Sequence, residues 1–363
     1  MKKSKTILIS PLDWGLGHAT RIIPIIREFQ AQGANILLAA EGNAFNLLKI
    51  EFPELLIIRL PGISMHYPKG KFLALKIVFE IPAYLKQIKA EHQLLQKIID
   101  EYSVDIVLSD NRYGLWSEKC KTIFMTHQLQ IQAPGIWKFV NPIIQIINYS
   151  FIRKFDECWI PDISQFPGLS GKLGHPGVLP RSSYYIGILS RFKQQEVRSV
   201  SIQYDYLGIV SGPEPQRTQF QNLLLDALSK SKKRCALICG LFNDELSGKQ
   251  ANGDVHFYNH LKADKFLELI HSSDTVICRS GYSGIMDMIV LQKKAILIPT
   301  PGQTEQEYLA KMLNEHKIFY SVSENEFKLS DNIVLQNQFS TPDFIFQDDL
   351  LKKNVTRVLQ PEN

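Results

Sequence analysis

Short apolar runs alternate with longer segments of helical periodicity along most of this chain. In the first half the runs fall at 6–10, 35–40, 55–60, 104–108, 121–125 and 157–160, and in the second at 206–210, 234–239, 254–258, 275–278 and 295–299. Continuous short apolar runs bounded by small or polar residues read as strands covered on both faces, as in parallel sheet. Strand and helix in alternation predict doubly wound sheets with right-handed crossovers. The segment from Gly187 to Gln203 has neither core pattern nor periodicity and reads as a linker. The expected fold is therefore α/β, with two Rossmann-like, doubly wound parallel-sheet domains. The first spans 1–187, the linker 188–202 and the second 203–345, and 346–363 carries a helix on the surface or bridging back to the first domain.

Candidate chemistry concentrates after two strands of the second half. Val276 to Asp287 (VICRSGYSGIMD) followed by Ala295–Pro299 reads as strand, glycine-rich turn, helix and strand. Ligands bind at the carboxyl edge of such sheets. Arg279, Ser280, Gly281, Tyr282, Ser283 and Gly284 can bring backbone N–H groups and a helix N-terminus to an anion, as phosphate requires. Asp287 follows within the helix, and Gln303, Glu305, Gln306 and Glu307 crowd the next loop with groups suited to sugar hydroxyls. Phosphate on one loop and polyol on the next suggests a nucleotide sugar. A further phosphate turn is expected at Ser211-Gly212, with Arg217 nearby.

The first strand leads into Pro11 to Thr20 (PLDWGLGHAT), before a helix expected from Arg21. Gly15 and Gly17 allow positive φ and close approach of the backbone. With no third glycine, this is not a dinucleotide fingerprint. Instead it sets His18 over the sheet edge, and imidazole is the side chain best matched to proton transfer near neutral pH. The alternative for His18 is a helix cap bonded to backbone.

Composition narrows the classes. The chain has 363 residues, enough for two cores, with 45% hydrophobic and 21% charged residues, as in soluble globular proteins. Its five cysteines are scattered without zinc or redox spacing, which fits a reducing, cytoplasmic compartment. No stretch approaches a signal peptide or a spanning helix. Net charge is +5, with 21 Lys and Arg against 15 Asp and Glu in residues 1–187. A mildly basic first half suits an anionic acceptor or an anionic membrane surface, and is too weak for nucleic acid. Two apolar-basic stretches, Lys71–Lys86 and Ile136–Lys154, read first as amphipathic helices buried against a sheet. The alternative is interfacial contact with a membrane, peripheral on the inner face of the cytoplasmic membrane.

Taken together, Gly15-Leu-Gly-His18, Thr126-His-Gln128, Cys278-Arg-Ser-Gly281 with Asp287, and Gln303 to Gln306 resemble the GT-B glycosyltransferases, specifically the family-28 or MurG-like group of UDP-N-acetylglucosamine transferases. The resemblance covers nearly the whole chain. It implies two Rossmann-like domains facing a cleft, the N-terminal one for the acceptor and the C-terminal one for the UDP-sugar, a co-substrate with no cofactor. It implies that Ser211 and Ser280–Gly284 bind the diphosphate, that Asp287 holds the ribose, and that Gln306 and Glu307 face the donor sugar. His18, with Gly15, Gly17 and Thr20, matches the first glycine-rich loop, and His127 and Gln128 match a His-Glu-Gln-like motif. This chain departs from the group at Asp13-Trp14, at Ser211 to Pro215, and at Asp287 and Glu307, so the resemblance does not extend to the peptidoglycan acceptor.

The chemistry expected is transfer of a hexose, N-acetylglucosamine or a relative, to a lipid-linked or glycan acceptor. His18 or Asp13 is the expected general base, with His127 and Asp110 as further candidates. The helix N-terminus at Ser280–Ser283 is expected to stabilise the leaving diphosphate. No Asp-x-Asp metal element is present, so transfer is expected to be metal-independent and inverting. Two rivals remain. Gly15 to Arg21 (Gly-x-Gly-His-x-x-Arg) also resembles the UDP-sugar hydrolase of the pseudaminic acid pathway, and a non-catalytic nucleotide-sugar-binding protein would keep the same loops.

Overall fold

The computed structural model describes residues 4–62, 73–133, 135–193, 200–240, 250–251, 255–259, 261–339 and 349–360. These form two compact units: 1–131, 139–189 and 346–363 in the first, 132–138 and 190–345 in the second.

The first unit is built on β1 (Thr6–Pro11), α1 (Leu16–Ala31), β2 (Asn35–Ala40), α2 (Gly42–Glu51), β3 (Leu56–Arg59), α3 (Leu73–Tyr102), β4 (Ile106–Asp110), β5 (Lys121–Met125), α4 (Asn141–Ile152), β6 (Glu157–Ile160) and β7 (Ser183–Tyr185). Its seven strands run in the order β3-β2-β1-β4-β5-β6-β7, all parallel. The second unit contains β8 (Tyr204–Ile209), α5 (Gln216–Lys230), β9 (Cys235–Ile238), β10 (Gln250–Ala251), β11 (Val255–Tyr258), α6 (Ala263–His271), β12 (Ser273–Cys278), α7 (Tyr282–Val290), β13 (Lys294–Leu297), α8 (Thr304–Glu315), β14 (Tyr320–Ser321) and α9 (Leu329–Gln336). Its order is β10-β11-β9-β8-β12-β13-β14, parallel except for β10 against β11. The final helix, α10 (Leu350–Leu359), belongs to the first unit.

Each sheet reverses its winding once, between β1 and β4 and between β8 and β12. Helices leaving neighbouring strands on opposite sides of such a point open a crevice at the strands' carboxyl ends. In register, Pro11 lies beside Asp110 and Ile209 beside Cys278. The loops after these four strands are thus set at the crevices by connectivity alone.

The strands are as apolar as expected because both faces are covered. Ile7, Leu8, Ile9, Val107 and Leu108 are fully buried, as are Val276, Ile277, Ile296 and Leu297. On α1 the residues Ile22, Ile25, Ile26 and Phe29 recur at helical spacing and are all 0% exposed. Each such side chain contributes about 1.5–3 kcal/mol on leaving water.

Several boundaries differ from the sequence expectation. Helix α1 begins at Leu16 rather than Arg21, which places Pro24 inside it. Asp110 lies within β4, not after it, because that strand is displaced two residues along the chain from the apolar run. Two-residue β10 and β14 and three-residue β7 are too short to leave a pattern. Residues 188–193 are not a bare linker: Ile188, Leu189 and Phe192 are 3%, 2% and 1% exposed, and Phe192 stacks on Phe266 at 5.8 Å. The rest of that segment from 194 to 199, residues 71–72 and the side chains of 73–81 in the first apolar-basic stretch, and 344–348 ahead of the last helix lie outside the described residues. In the second stretch, α4 buries Asn148, Tyr149 and Ile152 but leaves Ile143, Ile146 and Ile147 at 60%, 70% and 52% exposed. Burial against the sheet therefore accounts for one face of α4 only.

Two buried charge clusters hold the first unit together. Arg112 donates to Glu91 Oε1 at 2.9 Å, to Pro61 O at 2.9 Å, to Leu60 O at 3.3 Å and to Ser10 Oγ at 3.2 Å, joining α3, the segment after β3, and β1. The second cluster attaches α10. Arg357 grips both oxygens of Glu157 at 2.7 Å, with Trp159 Nε1 at 2.9 Å and Lys121 Nζ at 3.0 Å from the same carboxylate. Lys5 Nζ adds a bond to Val358 O at 3.0 Å.

Burial opposes ionisation of Glu157, but the bonds from Arg357, Trp159 and Lys121 outweigh it and hold the carboxyl below its ordinary 4.5. A depressed carboxyl stabilises the fold above its ordinary value and loses that contribution as pH falls below it. Replacing Arg357 with Met should cost about 1–3 kcal/mol at neutral pH. Thermal unfolding of both proteins across acid pH checks this: the gap in Tm should narrow below pH 4.5.

Candidate functional site

In the first unit the carboxyl ends of β1, β4 and β5 bring four charged or titratable side chains together. Asp110 ends β4 and is 0% exposed. Arg21 donates through Nε to Asp110 Oδ2 at 2.9 Å and through Nη2 to Asp110 Oδ1. His18 Nδ1 lies 3.0 Å from Asp110 Oδ2 and 2.9 Å from Arg21 Nη2. His127, in the loop after β5, places Nδ1 3.1 Å from Arg21 Nη1. The sequence reading named three of the four. It quoted Arg21 only as the end of a motif, although three residues along a helix is the spacing that puts Arg21 beside His18.

The charges set the protonation of this cluster. Burial alone would raise the Asp110 carboxyl, but the Arg21 charge and the bonds from His18 and Arg21 prevail and hold it at about 2. Burial and then the neighbouring Arg21 cation push His18 below its ordinary value, against the pull of Asp110. His18 is thus a neutral imidazole resting on an ionised carboxylate, with 15% of its side chain exposed. This is the arrangement of a histidine base oriented and charge-stabilised by a buried acid.

The neighbouring expected residues divide. Gly15 has φ +91° at the start of α1, with nothing within 4 Å of where a Cβ would lie. Gly17 is helical, so the positive φ expected there is not used. Thr20 donates to Gly17 O at 3.0 Å. The Gln128 N–H bonds Thr126 Oγ1 at 3.0 Å and its carbonyl accepts from Asn148 at 3.3 Å, which fixes the loop carrying His127. Asp13 is held elsewhere. Its carboxylate accepts from Ala44 N–H at 3.3 Å and packs where Gly42, at φ +56°, has no Cβ, so it caps the N-terminus of α2. Burial raises its pKa. That contact gives Asp13 a structural task.

In the second unit the loops after β8, β12 and β13 carry the donor candidates. Ser211 and Gly212 are exposed, the latter at φ +108°. Arg217 is engaged by Glu214 at 2.5 Å, Gln221 at 2.8 Å, Thr218 Oγ1 at 2.9 Å and Cys239 O at 3.1 Å. Arg279 is 3% exposed, pairs with Glu324 at 2.5 Å, reaches Ile298 O and Pro299 O at 3.3 and 3.2 Å, and lies 3.8 Å over the Phe220 ring. Arg217 thereby braces its own turn, and Arg279 ties the loop after β12 to the segment after β13 and to Glu324. Sequence shows the Arg279 cation but not the distant carboxylate that folding brings to it.

Helix α7 starts at Gly281 with no side-chain cap and no acid in its first turn, which carries Tyr282, Ser283 and Gly284. Neither Gly281 nor Gly284 has a positive φ, and nothing lies within 4 Å of a Cβ built on either. Among the described residues, neither conformation nor packing calls for glycine there. Helix α8 differs, with Glu305 and Glu307 in its first turn. By the helix dipole, the acid-free first turn of α7 favours an anion more than the acidic first turn of α8 does.

The α8 loop braces itself. Gln306 accepts from Thr300 N–H at 2.9 Å through Oε1 and from Ser280 Oγ at 2.9 Å through its carbonyl, and Glu307 accepts from Gly302 N–H at 2.8 Å. Gln303 caps α8. Asp287, in the middle of α7, accepts from Ser190 Oγ at 2.6 Å. Burial drives its carboxyl up to about 6, against Arg191 and the Ser190 bond. Ser190 carried no sequence signal, since it lay in the segment read as a linker.

Residues 221–341 match the glycosyltransferase family 28 C-terminal domain. An uncharacterised glycosyltransferase of Methanosarcina mazei is 26% identical over 326 residues, covering 83% of this chain and 81% of its own. Another from Methanopyrus kandleri is 18% identical over 313 residues, covering 83% and 87%. Among solved structures, MurG of Acinetobacter baumannii superposes at TM-score 0.55 with 12% identity over 98% of both chains. The glycosyltransferase of kitacinnamycin gives 0.63 with 12% identity over 98% and 95%. UGT89C1 of Arabidopsis thaliana, in complex with UDP-L-rhamnose, gives 0.58 with 14% identity over 99% and 96%. The fold is GT-B, as the motifs implied.

Asp287 yields a prediction of its own. A carboxyl raised in the folded state stabilises at low pH, and that contribution is lost as pH rises through the folded value, here from 3.8 to about 6. Replacing Asp287 with Asn, which still accepts from Ser190, should stabilise the protein by about 1–3 kcal/mol above that window and leave it unchanged below. Thermal unfolding as a function of pH measures it.

Proposed function

We propose that this chain, a GT-B glycosyltransferase with a family-28 C-terminal domain, transfers N-acetylglucosamine or a related hexose from a UDP-sugar to a lipid-linked or glycan acceptor. The observation that carries the reading is the pair of unlike helix ends in the second unit. Helix α7, with open glycines and no acid, suits the diphosphate, and the Gln- and Glu-rich start of α8 suits the sugar hydroxyls. Asp287 takes the ribose, exchanging its Ser190 hydroxyl for a ribose hydroxyl.

His18 is the base. Nε2 takes the proton of the acceptor hydroxyl as its oxygen attacks the anomeric carbon. The bond to the diphosphate breaks, and its electron pair leaves on UDP. Attack opposite the leaving group inverts the anomeric centre. Asp110 balances the imidazolium that forms, and the α7 N-terminus balances the diphosphate, so the step needs no metal. Arg279 acts indirectly, by holding the loop that carries Ser280.

The acceptor class draws its support from α4. Its exposed Ile143, Ile146 and Ile147 form one stripe, with Arg153 and Lys154 following the helix. An apolar face with cations at its end suits the headgroup region of an anionic bilayer. No helix among the described residues is long and apolar enough to cross a membrane. Contact is therefore proposed as peripheral, at the inner face of the cytoplasmic membrane.

Incubation with UDP-N-acetylglucosamine, with and without a bacterial lipid extract, tests the reading by mass spectrometry. Release of UDP together with a glycosylated lipid only when extract is present is the expected result. Free sugar or sugar phosphate without extract would make the protein a hydrolase. His18→Ala should lower turnover by about 10²-fold or more. Gly284→Ala should keep or raise stability, by up to about 1 kcal/mol, because alanine favours helix. The same change should raise the KM for the donor about tenfold, a loss of ~1.4 kcal/mol.

A further inference from the structure

We infer that Asn148, on the buried side of α4, is a positioning residue that clamps the loop carrying His127 to the turn that follows Asp110. The residue is 4% exposed, and its amide is engaged at both ends. Nδ2 donates to Leu129 O at 3.0 Å and to Gln128 O at 3.3 Å, and Oδ1 accepts from the Tyr113 hydroxyl at 2.7 Å. Two carbonyls can be met only by the NH2 end, so the partners fix which way the amide faces. Gln128 and Leu129 directly follow His127, and Tyr113 lies three residues past Asp110. One planar group on α4 thus reaches the exits of two adjacent strands, β4 and β5.

Other anchors of these loops lie off α4. Thr126 N–H bonds Trp159 O, Gln130 N–H bonds Leu173 O and Asn111 N–H bonds Met125 O, each at 3.0 Å. Asn148 meets the two carbonyls between the Thr126 and Gln130 anchors, beside the histidine whose Nδ1 lies 3.1 Å from Arg21 Nη1. A buried carbonyl without a donor is costly, so loss of the amide drives this loop to find other partners. The neighbouring Tyr149, buried on the same side of α4, donates instead to Val178 O at 2.6 Å, outside both loops. The consequence for turnover rests on the transferase reading. The donor candidates lie in the second unit, so loosening the His127 loop acts on kcat and leaves donor binding alone.

Two full-length variants test the inference. Asn148→Leu removes the amide, and Tyr149→Phe removes one hydrogen bond from the same side of the same helix. The readouts are thermal unfolding, the His127 ring signal in proton–carbon NMR (assigned with His127→Gln), and kinetics with UDP-N-acetylglucosamine and the bacterial lipid extract. Both variants should lower Tm. Only Asn148→Leu should shift or broaden the His127 signal and lower kcat, by about tenfold or more, with the KM for the UDP-sugar little changed. A His127 signal or a kcat in Asn148→Leu that matches the wild type would overturn the inference. So would an equal shift and an equal loss of kcat in Tyr149→Phe, since the clamp would then be structural only. If Asn148→Leu fails to fold, Tyr113→Phe replaces it, keeping the ring that stacks on Phe124 at 4.9 Å while releasing Asn148 Oδ1. An unmoved His127 signal in that variant overturns the inference equally. A moved signal in a protein that transfers no sugar would leave the clamp standing and remove the functional reading.

Discussion

The buried pair between Arg21 and Asp110 is the constraint on which the first unit's chemistry depends. A carboxylate fully out of water is costly unless its charge is met and its oxygens are bonded. Arg21 meets both requirements with a forked contact, which explains a guanidinium that is itself only 2% exposed. The pair also couples three elements, since Arg21 comes from α1, Asp110 from β4, and His127 from the loop after β5. Through it, the sheet's connectivity becomes the geometry of two histidines.

The second unit solves a different problem. A diphosphate, the ligand proposed for it, carries its own charge and calls for donors rather than for a further paired cation. Arg217 is paired within its own turn and Arg279 with the distant Glu324, and both brace the segments around them. The start of α7 has no acid in its first turn, and among the described residues nothing lies within 4 Å of a Cβ built on its glycines. Backbone amides fixed by a helix need no reorganisation when a charge arrives, which suits them to a leaving group.

Much of this was legible in the order of residues. Period and bounding residues identified nearly all the longer strands, since parallel strands are apolar throughout. His18, His127 and Asp110 could be picked out because each follows or ends a strand where ligands gather. The tasks of individual charges were not legible. Sequence does not show that the Asp13 carboxylate fills the space left by Gly42 and caps a helix. Nor does it show that Arg279 pairs with Glu324, distant in sequence. Ile188 to Phe192 looked like a linker because a few residues buried by neighbours from elsewhere leave no periodicity.

By itself, then, the sequence determined the class of fold, the number of sheets and the loops at the carboxyl ends of their strands. These follow from local rules, namely side-chain period, glycine freedom and the length of apolar runs. Tertiary structure decided which charge meets which, and so which side chains are left for substrate. Pairing across roughly ninety residues, as between Arg21 and Asp110, has no local signature. Its energy comes from burial and distance, which exist only once the chain has folded.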